Sequence, residues 1–283
     1  LIYTAAVSIG ENSAMQIHSA FYKFVPLPDA DAVVEHVRAL SRALQGSVLV
    51  AAEGINGTVA GSPGDIEAFE NSLTQDPRFA GMPFKHSSCQ TPPFARMRVH
   101  KKPEIVLLGV DDVDAADTGI NVSPPLWRAL IAQDDVVVID NRNSFEYRLG
   151  RFKGAVDPQV ANFRDFPKFI EAHLPQWQAQ NKKIAMYCTG GIRCEKTSAW
   201  MKRMNVEVYQ LEGGILNYFQ SVSDAEKDFE GECFVFDNRI ALNTKLQETA
   251  TTLEDVYQGE PDGAWRIARA KRLQDAVDDA VNE

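Results

Sequence analysis

The feature that most constrains the fold is a regular alternation between residues 123 and 224. Short, continuous apolar runs, "VVVID", "IAMYC" and "VEVYQL", are separated by stretches with helical spacing: "PPLWRALIAQ", "SFEYRLG", "FPKFIEAHLPQW", "RCEKTSAWMKRM" and "ILNYFQSV". A strand that is apolar at successive positions is buried on both faces. Strands alternating with helices then assemble into a parallel sheet with helices on either side. The pattern predicts an α/β domain over residues 121–224, and a chain of 283 residues leaves room for a second unit.

That second unit is expected over 18–120. "AFYKFVPL" reads as a strand and "DADAVVEHVRALSRAL" as a helix, with Val33, Val37, Leu40 and Leu44 on one face. "SVLVAAEG" and "GTVAG" read as a hairpin turning through Ile55 and Asn56, with Gly54 and Gly57 free to take positive φ. "SPGDIEAFENSLTQD" follows as a helix presenting Ile66, Phe69 and Leu73. This order is that of a split β-α-β, or ferredoxin-like, α+β fold. The apolar run 105–110 is expected to form a strand, and the acidic "DDVDAADTG" a linker.

Residues 1–17 are set aside as an extension. Residues 225–283 are expected to form a C-terminal extension with one short strand, "CFVFD", and a terminal helix in which Trp265, Ile267, Ala268 and Leu273 recur at helical intervals.

No apolar run reaches the eighteen or so residues of a membrane helix, and the N-terminus lacks the basic and apolar regions of a signal peptide. A soluble, cytoplasmic protein without membrane partners is expected. Cys89, Cys188, Cys194 and Cys233 are too few for a disulfide scaffold and offer no paired C-x-x-C, so a working thiol fits better than a zinc site. The formal net charge is −10, but unevenly spread. Lys+Arg stands against Asp+Glu at 9 to 14 over residues 1–122, 13 to 10 over 123–222 and 7 to 15 over 223–283. Only the segment with two nearby cysteines is positive, which leaves a local anionic partner open.

Those cysteines lie in "IAMYCTGGIRCEKT". In a parallel sheet, chemistry gathers at the carboxyl ends of strands, and Cys188 ends one. The turn Thr189, Gly190, Gly191, Ile192 and Arg193 then directs backbone N–H groups and a helix start at a single point, a nest for negative charge. Cys188 occupies that point, so its thiol pKa is expected to fall below the free value of about 8.5, making it a nucleophile. Cys194 falls on a stripe with Thr197, Met201 and Met204, which favours a core position over that of a resolving thiol. Four residues separate Cys188 from Arg193, one fewer than in the C-x5-R loop of tyrosine phosphatases. The shorter loop suits a cysteine-bound sulfur or another small anion. The five histidines show no metal-ligand or haem spacing, and each is read as a surface or structural residue. No organic cofactor or metal is evident.

"VIDNRNSFEYRLGRFKGAVDP" and "CTGGIR" resemble the signature and active loop of the rhodanese domain, with Cys188 in the place of the persulfide-carrying cysteine. "FYKFVPLPD", "AAEGINGTVAG", "DPRF", "MRVHKKPEIVLLG", "CTGGIRCEK", "LEGGI" and "CFVFDNRIAL" occur in an order similar to the bacterial tRNA uridine(34) hydroxylase family. Many relatives carry a cysteine-rich tail, whereas this chain has no cysteine after Cys233. The resemblance implies oxygen-dependent 5-hydroxylation of uridine 34 in the tRNA anticodon loop, with molecular oxygen as co-substrate and an electron donor that the sequence does not name. Catalysis would fall to Cys188, with Thr189, Gly190, Gly191, Ile192 and Arg193 as the anion or persulfide loop. The basic segment Arg96, Arg98, Lys101 and Lys102 is the candidate tRNA-binding surface, with a solvated basic strand as the alternative. Two other functions remain open: a thiosulfate or persulfide sulfurtransferase, and an inactive binding module.

Overall fold

A computed structural model describes residues 16–275 apart from Gln90 and Asp112, so most of the expected 1–17 extension and the end of the terminal helix lie outside the described residues. The first unit begins with β1 (Gln16–Phe24), α1 (Ala30–Leu40), β2 (Gln45–Ala51), β3 (Gly54–Gly61), α2 (Pro63–Thr74) and β4 (Phe84–Cys89), followed by β5 (Met97–Lys101). The sheet order is β4-β1-β3-β2-β5, with β5 parallel to β2. The first four strands have the ferredoxin-like arrangement that the sequence predicts.

The helices form for local reasons. Ser62 caps α2 by accepting the Asp65 N–H, and Pro63 occupies the first turn, where it removes no intrahelical bond. Val33, Val34 and Val37 of α1 and Ile66, Phe69 and Leu73 of α2 bury against Phe21, Val48, Val50, Ile55, Val59 and Val99 of the sheet. Side chains alternate along a strand, so the other face carries a second set. Register places Lys85, Ala20, Thr58, Ser47 and Arg98 in one row across all five strands of that helix-free face.

Two local expectations change. The hairpin turns at Ala52 and Glu53, because Ala51 pairs with Gly54 and both Ile55 and Asn56 lie within β3. Gly57 is there for packing, since a Cβ would sit 2.7 Å from the Phe21 ring. Residues 105–110 form no ladder; the chain bends at Ile105 and Val106, and Gly109 takes positive φ. Their N–H groups are bonded by side chains: Ile105 donates to Glu53, and Leu108 and Gly109 donate to Glu104.

The second unit contains β6 (Ile120–Val122), α3 (Pro124–Ile131), β7 (Val136–Asp140), α4 (Ser144–Leu149), β8 (Gly150–Phe152), α5 (Phe166–Ala179), β9 (Lys183–Tyr187), α6 (Ile192–Lys202), β10 (Val208–Leu211) and α7 (Gly214–Ser221). Its sheet, β6-β10-β9-β7, is parallel throughout. Ile184, Ala185, Met186 and Tyr187 of β9 are all buried, with separate apolar clusters on the two faces. Leu108 is fully buried in the first of these clusters, so the chain leading out of the first unit is packed onto the second.

The C-terminal segment adds β11 (Phe229–Gly231), β12 (Cys233–Phe234), β13 (Ala241–Leu242), α8 (Leu253–Tyr257) and α9 (Gly263–Asp275). The terminal helix forms where the spacing predicts it, and Ile267, with Ala270, packs against Phe145, Phe234 and Tyr257. Trp265 is 54% exposed. The segment also reaches the first unit: Asn238 donates its N–H to the Pro93 carbonyl, and Arg239 Nη1 donates to Ser87 Oγ. No helix among the described residues is long and apolar enough to cross a membrane.

Candidate active site

Cys188 follows directly on β9, and α6 begins four residues later with Gly191 at its N-cap, at φ +107°. This conformation, which side-chain-bearing residues rarely adopt, turns the Gly191 N–H back onto Cys188 Sγ at 3.1 Å. The sulfur is almost completely buried. Burial alone would push its pKa up. The Cys194 thiol hydrogen bond, the Arg193 charge and the N–H groups of Cys194 and Gly191 outweigh that and hold it well below the usual thiol value. Cys194 moves the opposite way, raised by burial and by its thiolate neighbour, so it remains a protonated donor. It lies in the core, as its helical stripe predicts, and touches Cys188 as well.

Arg193 is oriented by a residue that the sequence marks only as part of a signature. Its Nη1 and Nη2 donate to Glu146 Oε2 and Oε1 at 2.8 and 2.7 Å. Nη2 also lies 3.3 Å from Thr189 Oγ1. Glu146 is fully buried in α4, where it also accepts the Asn143 N–H. Burial works against its ionisation, but Arg193 prevails and keeps the carboxyl below its ordinary range. Arg193 therefore acts on Cys188 through its charge while its fork is held by Glu146. Gly190 marks the open side of the loop, because a Cβ there would meet nothing within 4 Å.

The first unit supplies a wall that the sequence did not reveal. Tyr22, on the helix-free face of β1, donates its hydroxyl to Glu195 Oε1 at 2.7 Å. The same hydroxyl would lie 2.7 Å from a Cβ at Gly191. Lys85 of β4 donates to the Gly190 and Gly213 carbonyls at 2.5 and 3.2 Å, with its ammonium 5.6 Å from the Tyr22 ring centre. Burial raises the Glu195 carboxyl above its usual range. Next to it, Lys196, buried on α6, donates to both Glu53 oxygens at 2.8 and 2.6 Å and to Glu104 at 2.5 Å. This joins "EGING" to "RCEK", and the available signal was the presence of both stretches in one family pattern.

The four expected RNA-binding residues divide. Arg98 lies on the helix-free face in the Lys85 row. It lines, together with Arg96, a cavity shared with the C-terminal segment. Lys101 points to the helix side and pairs with Asp31 at 2.6 Å. Lys102 is exposed.

Two family models match the chain, one in each unit. The UPF0176 acylphosphatase like domain matches residues 17–105 and the rhodanese-like domain matches 123–221. A tRNA uridine(34) hydroxylase of Legionella pneumophila (strain Paris) is 41% identical over 248 residues, covering 86% of this chain and 97% of that one. The chain belongs to the tRNA uridine(34) hydroxylase family. Proteins of the same name from Synechococcus elongatus, 47% identical over 80% of this chain and 85% of that one, and from Brucella anthropi, 44% identical over 83% and 78%, match it similarly. In this hydroxylase-family chain the Cys188 loop lies within the rhodanese-like match, and Tyr22 and Lys85, which wall it, lie within the other.

Proposed function

We propose that this chain hydroxylates uridine 34 of tRNA at C5, with Cys188 as nucleophile, in the cytoplasm beside its RNA substrate. The observation that carries the reading is the closure of Tyr22 and Lys85 onto the Cys188 loop. A sulfurtransferase needs nothing beyond the rhodanese-like unit, whereas a hydroxylase must hold a base, and a second unit over the thiolate provides the means.

The net reaction takes uridine, dioxygen, two electrons and two protons to 5-hydroxyuridine and water, the electrons coming from a reductant outside the chain. The thiolate adds to C6, and the C5=C6 pair moves toward O4, giving an enolate nucleophilic at C5. Backbone donors from Thr189 to Arg193 stabilise the developing anion, as does the Lys85 ammonium, which burial disfavours and nearby negative charge at Cys188 favours. Once C5 has gained oxygen, the Glu195 carboxylate takes the C5 proton. The released pair re-forms C5=C6 and expels Cys188.

The test is nucleoside mass spectrometry of tRNA from a deletion strain complemented with wild type or Cys188→Ser. Loss of 5-hydroxyuridine derivatives restored only by wild type is expected. Unchanged nucleosides, together with thiosulfate-to-cyanide sulfur transfer by the purified protein, would establish the sulfurtransferase instead.

A further inference from the structure

A cavity of about 370 Å³ lies between β5, the segment after β12 and α9. This is within the roughly 300–1,000 Å³ of small-molecule sites. Three of its arginines, Arg96, Arg98 and Arg269, come from two distant parts of the chain. Among the described residues no carboxylate pairs with any of them, and the charge that acts on Arg98 is that of Arg96. The carboxylate in the lining, Asp237, is already held by Arg239 at 2.7 Å and by His18 at 3.3 Å. In a protein of net charge −10, unpaired positive charge around a cavity indicates an anionic ligand.

The aromatic lining narrows its chemistry. Phe236 and Trp265 are 65% and 54% exposed, in a chain whose other large aromatics are mostly buried. Arg269 lies over the Trp265 ring at 5.3 Å. Flat rings beside guanidinium groups form a platform on which unpaired bases stack while their phosphates are neutralised. The cavity also adjoins the candidate active site: the Arg193 guanidinium is 5.9 Å from the Phe236 ring centre. Along the sheet, the Lys85–Arg98 row has Ala20, Thr58 and Ser47 between its ends. Small side chains over four strand spacings, about 19 Å, leave a low floor from the cysteine loop to the cavity.

We propose that this cavity binds a nucleotide of the single-stranded RNA loop flanking the uridine presented to Cys188, with Trp265 and Phe236 stacking the base and Arg96, Arg98 and Arg269 holding phosphate. The inference rests on the RNA-substrate reading above and extends it to the C-terminal helix, whose residues 265–272, "WRIARAKR", are basic within an otherwise acidic tail.

The test uses the full-length protein with an unmodified anticodon stem-loop RNA and the same RNA made abasic on either side of position 34. Affinity is read by anisotropy, and turnover by 5-hydroxyuridine formation. Trp265→Ala is expected to weaken binding and raise KM about tenfold with kcat little changed. Arg269→Ala is expected to lower the salt slope of binding by about one. One abasic RNA should lose affinity for wild type and lose no more for Trp265→Ala. Both variants change exposed side chains, and their thermal unfolding should match wild type. Wild-type affinity and salt slope in both variants would overturn the cavity assignment even if hydroxylation is confirmed. Weakened binding without any hydroxylation by wild type would uphold the cavity and overturn the activity.

Discussion

Tyr22 and Glu195, 173 positions apart, are joined by a 2.7 Å hydrogen bond in which the phenol donates to the carboxylate. Burial raises both groups, so the phenol stays protonated and the carboxyl becomes a better base. If Cys188 adds to C6, this pair should exchange the C5 hydrogen with solvent even without oxygen. Wild type should therefore wash deuterium out of 5-deuterated uridine 34 anaerobically, and Glu195→Gln should slow that exchange by about a hundredfold or more. The rate should rise with pH through the raised Glu195 pKa. Tyr22→Phe removes a bond that favours the carboxylate, so the rise should move to higher pH. A deuterium label that wild type retains would exclude the adduct.

The paired thiols give a second prediction. Cys188 is held as a thiolate in part by the Cys194 S–H. A hydrogen bond to a charged group contributes about 1.5–3 kcal/mol, and one pKa unit corresponds to about 1.4 kcal/mol. Cys194→Ala should therefore raise the midpoint of Cys188 alkylation by about one to two units. Wild type should stay reactive well below the free-thiol value, because deprotonation persists down to the lowered pKa. The pH dependence of iodoacetamide labelling, followed by peptide mass spectrometry, checks both statements.

The contact between the C-terminal segment and the first sheet should be acid-sensitive. His18 is buried with its pKa lowered, first by burial, and its Nε2 lies 3.3 Å from Asp237 Oδ2. The neutral ring donates this hydrogen bond. Below about pH 6.5 the unfolded chain binds a proton that the folded one resists, so stability falls as pH drops. Asp237, held below the carboxylate range against burial by Arg239 and His18, contributes stability above its unfolded pKa that is lost as pH falls further. Thermal unfolding should thus decline in two stages on acidification, and His18→Gln should remove the first. A melting temperature that is flat from pH 7.5 to 5 in wild type would contradict this.

Local chemistry was legible in the sequence and docking was not. Cys188, its glycines and Arg193 are contiguous, so the strand-loop-helix pattern locates them. Apolar period and turn chemistry likewise give both folds. The bonds from Lys85 to Gly190 and from Lys196 to Glu53 span 105 and 143 positions. Nothing periodic in a sequence records which faces of two units meet. Residues 105–110 misled because an apolar run suits both a strand and an irregular segment packed on a core, with N–H groups taken by Glu53 and Glu104. Helical spacing located α9 but does not say that Trp265 stands exposed on it.

The two glycines of the loop should respond differently to the same substitution. Gly190 faces open space, and Ala there meets nothing within 4 Å. Gly190→Ala should fold and titrate like wild type, with any loss confined to KM, because the new methyl stands on the side from which a base would enter. Gly191 has φ +107°, and its Cβ would lie 2.7 Å from the Tyr22 hydroxyl. The backbone strain alone costs on the order of 1–3 kcal/mol. Relieving it would swing the Gly191 N–H away from the Cys188 sulfur. Gly191→Ala should therefore raise the Cys188 alkylation midpoint and lower single-turnover hydroxylation far more than Gly190→Ala. The double variant Gly191→Ala, Tyr22→Phe separates the two causes. It removes the clashing oxygen and leaves the positive φ, so recovery of the alkylation midpoint would assign the defect to the Tyr22 contact, and no recovery would assign it to the backbone that aims the N–H.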